Sequence, residues 1–401
     1  MEAQLIFRSF AADRCSPTPV RNDAIRAWLQ APATADLSPT ELVTGVAERL
    51  EAAGLPLLRV GVWLSTQHPE VWGSQIIWTR GPGAQTILRP HDAMASPAFQ
   101  GTPGQAVYQG SGPVRCRLDV PRSELRFPVL AEVADLGAID YMIVPIPGGP
   151  SLVHWIAFAT DRAGGFHDDE LAGLVGLGMA LTFPFRLVAA RDASASLLRV
   201  YLGPNAADRV LAGEFHRGSG ETIEAAIWFC DLRGFTSLGD RVTPRELVAV
   251  LDRYFEAVAG AIEDRGGEIL KFIGDATLAI FPIGDGGPVD PCRRALAAAE
   301  DALAAVAALG ADLSMGVSLH VGPVFYGNIG GRRRLDFTVI GAAVNEVCRV
   351  ESLCKVVGVP LLMTARFARD VGRSDLVPAG RHALKGVTAE LEIFRLPAPR
   401  H

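Results

Sequence analysis

Apolar and polar positions in the C-terminal half alternate between strand-like runs and long helical stripes. Ile223–Phe229 is a β-rich run that stops at Cys230-Asp231. Thr243, Pro244 and Glu246 fit the N-cap, N1 and N3 positions of a helix. Its apolar stripe Leu247, Val250, Leu251, Tyr254, Phe255, Val258 and Ile262 runs to Gly266-Gly267. Ile269–Phe281 holds two apolar runs around Gly274-Asp275, which predicts a tight β-hairpin tipped by a carboxylate, with Lys271 on its first strand. Asp290-Pro291 caps an alanine-rich helix to Leu309. Ser314–Val321 reads as a strand, and Val324–Asn328 is expected to fold back on it after Gly322-Pro323. Asp336–Ile340 (strand), Val344–Leu353 (helix), Val359–Met363 (strand) and Leu391–Leu396 (strand) follow. The order β, α, ββ, α, β predicts a split βαβ (ferredoxin-like) α+β domain, an antiparallel sheet covered by helices on one face.

The N-terminal half is also mixed. Residues 1–36 read as an arm with one short helix around Asn22–Gln30. Ser38-Pro39-Thr40-Glu41 is a capping-box pattern before a helix to about Ala53. Leu58–Leu64, Gln75–Trp78 and Gln85–Leu88 read as strands, and residues 90–120, rich in Gly, Pro and Ser, as loops. Tyr141–Ile146 and Leu152–Phe158 are further strands, after which Gly165–Glu170 caps a helix from Leu171. Helical spacing over Arg186–Leu202 ends at Gly203-Pro204, and Ala206–Leu211 makes a short helix. The resulting division is an arm at 1–36, a regulatory domain at 37–185, a helical linker suited to a parallel dimer contact at 186–220, and a second domain at 221–401.

A chain of 401 residues, 49% hydrophobic, has the material for two or three cores. The net charge of −6 gives no reason to expect a nucleic-acid partner. Cysteines 15, 116, 230, 292, 348 and 354 contain no Cys-x-x-Cys pair, so neither a zinc site nor a disulfide framework is indicated. The start lacks a basic segment followed by an apolar run. The longest uncharged stretch, Leu171–Phe185, is shorter than the roughly 20 residues that span a bilayer. A cytoplasmic protein without a membrane segment is the expectation.

Asp231 at a strand end and Asp275 at the hairpin tip are expected to be neighbours in this sheet. Two carboxylates beside the turn Leu232-Arg233-Gly234-Phe235-Thr236, where glycine lets backbone N–H groups face phosphate oxygens, suit Mg²⁺ with a triphosphate. Asn345 and Arg349, four apart on one helix, offer an amide and a fixed cation from one face. Lys385, in Leu384-Lys385-Gly386, is a further cation near the last strand.

Residues about 220–398 resemble the catalytic domain of class III nucleotidyl cyclases. The motifs are Phe229-Cys-Asp-Leu-Arg-Gly-Phe-Thr236, Gly267-Glu-Ile-Leu-Lys-Phe-Ile-Gly-Asp275 and Asp336-Phe-Thr-Val-Ile-Gly-Ala-Ala-Val-Asn-Glu-Val-Cys-Arg349. The resemblance implies that Asp231 and Asp275 bind two Mg²⁺ (or Mn²⁺) ions with help from the Leu232 carbonyl. It implies that Lys271 and Thr338 choose the base and that Gly234, Phe235 and Thr236 bind the phosphates. By the same resemblance Asn345 orients the ribose, Arg349 stabilises the pentavalent phosphorus and Lys385 meets the terminal phosphates. A mild departure is Val347-Cys348 before Arg349, where the family often has Ala-Ala or Ala-Ser. Adenine presents an acceptor at N1 and a donor at its amine, which match a lysine and a threonine hydroxyl. ATP is therefore the expected substrate, and guanylate cyclase or a silent nucleotide-binding module are the alternatives. The family's sites lie between two catalytic domains, which implies a homodimer. Strand, turn, strand and the Gly-Phe-x-Asp-x-Glu entry to a helix resemble the close of GAF-type sensor domains. No Cys or His is placed there to anchor a bilin or haem. Trp63, Trp72, Trp78 and Trp155 are candidates to line a pocket for an unidentified small molecule.

Overall fold

Residues 23–66, 68–125, 127–147, 153–310, 313–384 and 390–398 are described by the computed structural model. They divide into two units between Leu197 and Leu198. The N-terminal unit begins with α1 (Asp23–Leu29) and α2 (Pro39–Ala52). The start of α2 is set as its sequence predicts: the Ser38 hydroxyl accepts from the Glu41 N–H, and the Glu41 carboxylate accepts from the Ser38 N–H at 2.8 Å. Then come β1 (Arg59–Ser65), β2 (Val71–Thr79), β3 (Gly83–Pro90), α3 (Pro103–Tyr108), β4 (Val114–Arg117), α4 (Pro128–Asp135), β5 (Asp140–Pro147), β6 (Val153–Thr160), α5 (Asp168–Ala180) and α6 (Thr182–Leu202), the last five residues of which belong to the second unit. The six strands form an antiparallel sheet in the order β3-β2-β1-β6-β5-β4. Alternation sends Val60, Val62 and Leu64 to one face, where they meet Leu42, Val46 and Leu50 of α2 and Leu174 and Leu177 of α5. Val107 of α3 and Leu130 and Val133 of α4 cover Tyr141, Ile143 and Ala157 on the other. The stretch 90–120 is not all loop. It holds α3, capped by Thr102 with Pro103 at N1, and the four-residue β4, both too short to impose a period on the sequence.

Asp140 is fully buried, yet fully partnered. It accepts from Arg115 Nη2 at 2.6 Å, from the Tyr141 N–H at 3.0 Å and from the Phe166 N–H at 2.9 Å. Removing the carboxylate leaves the buried Tyr141 and Phe166 N–H groups without their acceptor and Arg115 without its ion pair. Asp140→Ala is therefore expected to destabilise this unit by about 3–5 kcal/mol. Urea unfolding read by tryptophan fluorescence checks this, since Trp28, Trp63, Trp72, Trp78 and Trp155 all lie in this unit.

The C-terminal unit contains α7 (Pro204–Leu211), β7 (Gly220–Leu232), α8 (Phe235–Gly239), α9 (Pro244–Glu263), β8 (Glu268–Ile273), β9 (Ala276–Ile283), α10 (Val289–Ala308), β10 (Met315–Gly331), β11 (Arg334–Ile340), α11 (Ala342–Val357), β12 (Leu361–Thr364), α12 (Ala365–Val371), β13 (Val377–His382) and β14 (Leu391–Arg395). Its eight-stranded sheet runs β13-β14-β12-β10-β7-β9-β8, with β11 paired to β10. The class is α+β, as expected, but three details differ from the sequence reading. First, Gly322-Pro323 is not a turn. β10 continues through it in unbroken register with β7, from Met315↔Leu232 to Gly327↔Gly220. Pro323 is tolerated because it falls between the stretch of β10 that β12 pairs, ending at Leu319, and the stretch that β11 pairs, beginning at Phe325. Second, helices cover both faces. Ala226, Trp228 and Cys230 of β7 meet Tyr254 and Val258 of α9 and Ala295 of α10. The alternate residues Ala225 and Ile227 meet Ala343 and Val347 of α11. Third, α12 and β13 were not foreseen; α12 has only seven residues, and β13 carries Pro378 and Gly380 within an irregular register.

Buried Glu268 fastens α7 to this unit, accepting from the Tyr326 hydroxyl at 2.6 Å and from Asn205 Nδ2 at 3.0 Å. Among the described residues no single helix is long and apolar enough to cross a membrane. The bent pair α5–α6 passes by length and composition, but α5 buries Leu171, Leu174 and Leu177 in the core.

Candidate functional site

β7 runs beside β9 up to Cys230↔Thr277, so Asp231 reaches the sheet edge where the hairpin turns. The β8–β9 loop is Gly274-Asp275 alone; Gly274 takes φ 66°, the left-handed conformation that such a loop requires. The two carboxyls meet. Burial, then a hydrogen bond with Asp275, then the charges of Asp275 and Glu351 push Asp231 up to about 7. Glu351 of α11 is itself raised, chiefly by burial, with Arg233 opposing and Asp275 adding to the rise. Gly316 of β10 lies opposite Asp231, and a Cβ there would strike the Glu351 carboxylate, so the glycine makes room for the third acidic group. Negative charge concentrated this way lowers its free energy by taking up a proton or a cation. Among the described residues no group of three or more His, Cys, Asp or Glu is arranged to hold a metal. The available donors are the two aspartates and the adjacent Leu232 carbonyl. Hard oxygens of this kind fit Mg²⁺ or Mn²⁺, with remaining positions left to water and phosphate.

The chain leaves β7 through Gly234, at φ 75°, and enters α8 at Phe235-Thr236. The Gly234 carbonyl accepts from the Leu238 N–H at 2.9 Å and the Ser237 hydroxyl at 2.8 Å, which closes the turn beside Asp231.

Lys271 lies elsewhere on the unit. Ile269 packs with the α9 layer, and the Phe272 ring lies against Phe255 of α9, tilted by 49° with centroids 4.5 Å apart. Two residues three apart share a strand face only across a bulge, and the register does shift between Ile269 and Lys271. The extra residue turns Leu270 and Lys271 to the opposite side, toward β11. There Lys271 Nζ donates to Asp336 Oδ2 at 2.6 Å, and this bond holds the Asp336 carboxyl below its ordinary range. Thr338, two residues on, shares the strand face of Asp336 and is buried. Lys271 and Asp336 line a cleft of about 760 Å³ with Asn205, Glu268 and Phe337.

On α11 the buried stripe is Ala343, Val347, Val350 and Cys354. Asn345 and Arg349 project from the other side, and Arg349 has no ion-pair partner among the described residues. Two residues further on, Glu351 is rotated by about 200° on a helix of 3.6 residues per turn. Glu351 faces the aspartate pair, so Asn345 and Arg349 face away from the aspartates of their own chain.

The structure therefore joins Asp231 with Asp275, and Lys271 with the strand bearing Thr338, but does not bring Arg349 to the carboxylates. Lys385 lies outside the described residues. Sequence reasoning missed the Lys271–Asp336 pair, the approach of Glu351 and the bulge. Asp336 was legible in principle, since it stands two positions before Thr338 on one strand face.

Residues 219–396 match the adenylate and guanylate cyclase catalytic domain. An adenylate cyclase of Anabaena cylindrica is 35% identical over 163 residues, 38% of this chain and 32% of that protein. Adenylate cyclase 1 of Rhizobium meliloti is 28% identical over 195 residues, 46% of this chain and 29% of that protein. The chain thus spans about a third of the length of the curated relatives it matches. Among solved structures, the adenylyl cyclase CyaB from P. aeruginosa superposes with a TM-score of 0.41 at 23% identity, covering 45% of this chain and 97% of that one. The guanylyl cyclase Cya2 superposes with a TM-score of 0.39 at 29% identity, covering 44% and 92%.

Proposed function

We propose that the chain converts ATP to 3′,5′-cyclic AMP and pyrophosphate, a reading supported by the match of residues 219–396 to the adenylate and guanylate cyclase catalytic domain. The observation that carries this reading is the meeting of Asp231 and Asp275 at one sheet edge. Two Mg²⁺ or Mn²⁺ ions held there by Asp231, Asp275 and the Leu232 carbonyl would acidify the ribose 3′-hydroxyl and offset polyphosphate charge. The 3′-oxygen attacks the α-phosphorus in line and pyrophosphate departs. Asn345 orients the ribose, and Arg349 neutralises charge that grows at phosphorus in the transition state. The turn at Gly234, Phe235 and Thr236 and the side chain of Lys385 receive the phosphates.

Adenine recognition follows from hydrogen bonding. An ammonium has three donors; Asp336 takes one from Lys271 and leaves two for the base. Adenine N1 accepts from Lys271, and the Thr338 hydroxyl accepts from the exocyclic amine. Guanine would set its N1–H against the lysine, an unmatched pair that costs about 1–3 kcal/mol. Cyclic AMP and cyclic GMP formation from ATP and GTP, with Mg²⁺ and with Mn²⁺, tests the reading. Preference for GTP would reverse the base assignment, and no product from either nucleotide would favour a silent module.

The position of Arg349 and Asn345, turned from their own chain's aspartates, supports a homodimer whose sites each draw on both chains. The N-terminal unit is read as a GAF-like regulatory domain.

Proton and cation compete at the aspartate pair. Asp231 is raised from its ordinary 3.8 to about 7, so in the metal-free chain its protonation contributes stability that is fully present below about pH 4 and is lost as pH rises through 7. Thermal unfolding of the full chain should therefore show a Mg²⁺-induced rise in midpoint that is larger at pH 8 than at pH 5.5. An equal rise at both would remove Asp231 from the cation site.

A further inference from the structure

Arg59 opens β1 and is only 8% exposed, yet its Nη1 has no hydrogen-bond partner and no carboxylate lies within ion-pairing distance among the described residues. The same unit partners its buried Asp140 with two arginines and two backbone amides. An arginine does not shed its proton at any ordinary pH, so the Nη1 end of this cation stays buried without a partner.

The surroundings have a definite chemistry. Arg59, Gly61 and Trp63 alternate onto the sheet face away from Val60 and Val62. A Cβ added at Gly61 would meet nothing within 4 Å, so the strand leaves open space between the guanidinium and the indole. That space is a cavity of about 50 Å³ lined by Arg59, Trp63, Tyr141 and Trp155. It adjoins a compartment of about 230 Å³ that shares Trp63, Tyr141 and Trp155 and adds Trp72 and Phe99. Trp63 and Trp155 are stacked, 5.2 Å apart at 11°, and Trp72 and Phe99 close the box with centroids 4.7 Å apart. Gly73 is required for this, since a Cβ there would strike the Trp63 ring.

We propose that this cavity binds a small, flat aromatic carboxylic acid, its carboxylate on Arg59 and its ring among Trp63, Trp155 and Phe99. A carboxylate matches the planar guanidinium in charge and geometry, and indole faces stack on flat rings. The two compartments together are smaller than the about 300–1,000 Å³ typical of drug-sized ligands, so one or two rings fit and a nucleoside triphosphate does not. This site concerns the N-terminal unit only, and its test reads binding rather than turnover, so it stands or falls separately from the cyclase reading.

Calorimetric titration of the full chain with indole-3-acetic acid, benzoic acid, indole-3-acetamide and phenyl phosphate tests it. Indole-3-acetic acid is expected to bind, with benzoic acid as the single-ring probe of the same site. Indole-3-acetic acid is expected to bind at least about tenfold tighter than its amide, a difference that Arg59→Gln should abolish. Thermal unfolding without ligand gives an independent check. Arg59→Met, which replaces an unpaired buried charge by an apolar chain of similar length, should raise the midpoint by about 2–4 °C. Failure of indole-3-acetic acid to bind, equal binding of acid and amide, tighter binding of phenyl phosphate, or a fall in the Arg59→Met midpoint would each overturn the proposal.

Discussion

Chains carrying Asp275→Ala and chains carrying Arg349→Ala, each nearly inactive alone, are expected to recover about a quarter of the wild-type rate when mixed in equal amounts. Alone, each loses about 10²–10³-fold or more in kcat, because each substitution removes charge stabilisation that matters most in the transition state. Mixing differs because of where the groups point. Arg349 and Glu351 are about 200° apart around α11, and Glu351 is the one turned to Asp231 and Asp275. One chain cannot present Arg349 and its own aspartates to the same phosphate without rotating a helix that buries Val347 and Val350 completely. Random pairing puts half of the dimers in the mixed form, and one of the two sites in each keeps every group. Cyclic AMP formation against mixing ratio, with the two chains separately tagged to count heterodimers, is the measurement. Heterodimers without recovery would sink the shared site.

Reversing the base preference should need three substitutions rather than two. Lys271→Glu with Thr338→Cys supplies the acceptor and donor pattern for guanine. In this chain it also leaves the introduced carboxylate facing Asp336 across the 2.6 Å contact that Lys271 now bridges. Like charges so close oppose ionisation of one partner and spoil the geometry. The double variant is expected to lose ATP activity by at least about tenfold while gaining little with GTP. Adding Asp336→Asn should release the introduced carboxylate and raise the GTP rate by about tenfold over the double variant. Initial rates with both nucleotides decide it. A double variant already as active with GTP as the triple would show that Asp336 has no part in setting the base reader.

The contrast between the aspartate pair and Lys271 shows what a linear reading reaches. Asp231 and Asp275 were legible because each is fixed locally, one by a strand end and the other by a two-residue turn with Gly274. Thr243 and Ser38 likewise announce their helices through neighbours three residues away. What escaped depends on contacts distant in sequence. Pro323 looks like a turn until β11 and β12 are seen to leave it a gap. Helices on both faces follow from which strands are central, and single-strand periodicity does not contain that. Glu351 approaches Asp231 only because a glycine, Gly316, lies on the strand between them. In the N-terminal unit the tryptophans were visible as candidates, but Arg59, which gives their cavity a charge, was not, since an arginine opening a strand is ordinarily solvated.

β8 holds one residue more than its partner β9 between Ile269 and Lys271. That added residue lets Ile269 and Lys271 face opposite sides although they stand two apart, which frees the proposed base reader from the packing of its own strand. Deleting Leu270 would keep that opposition, since adjacent residues of a plain strand face opposite sides and Lys271 would then follow Ile269 directly.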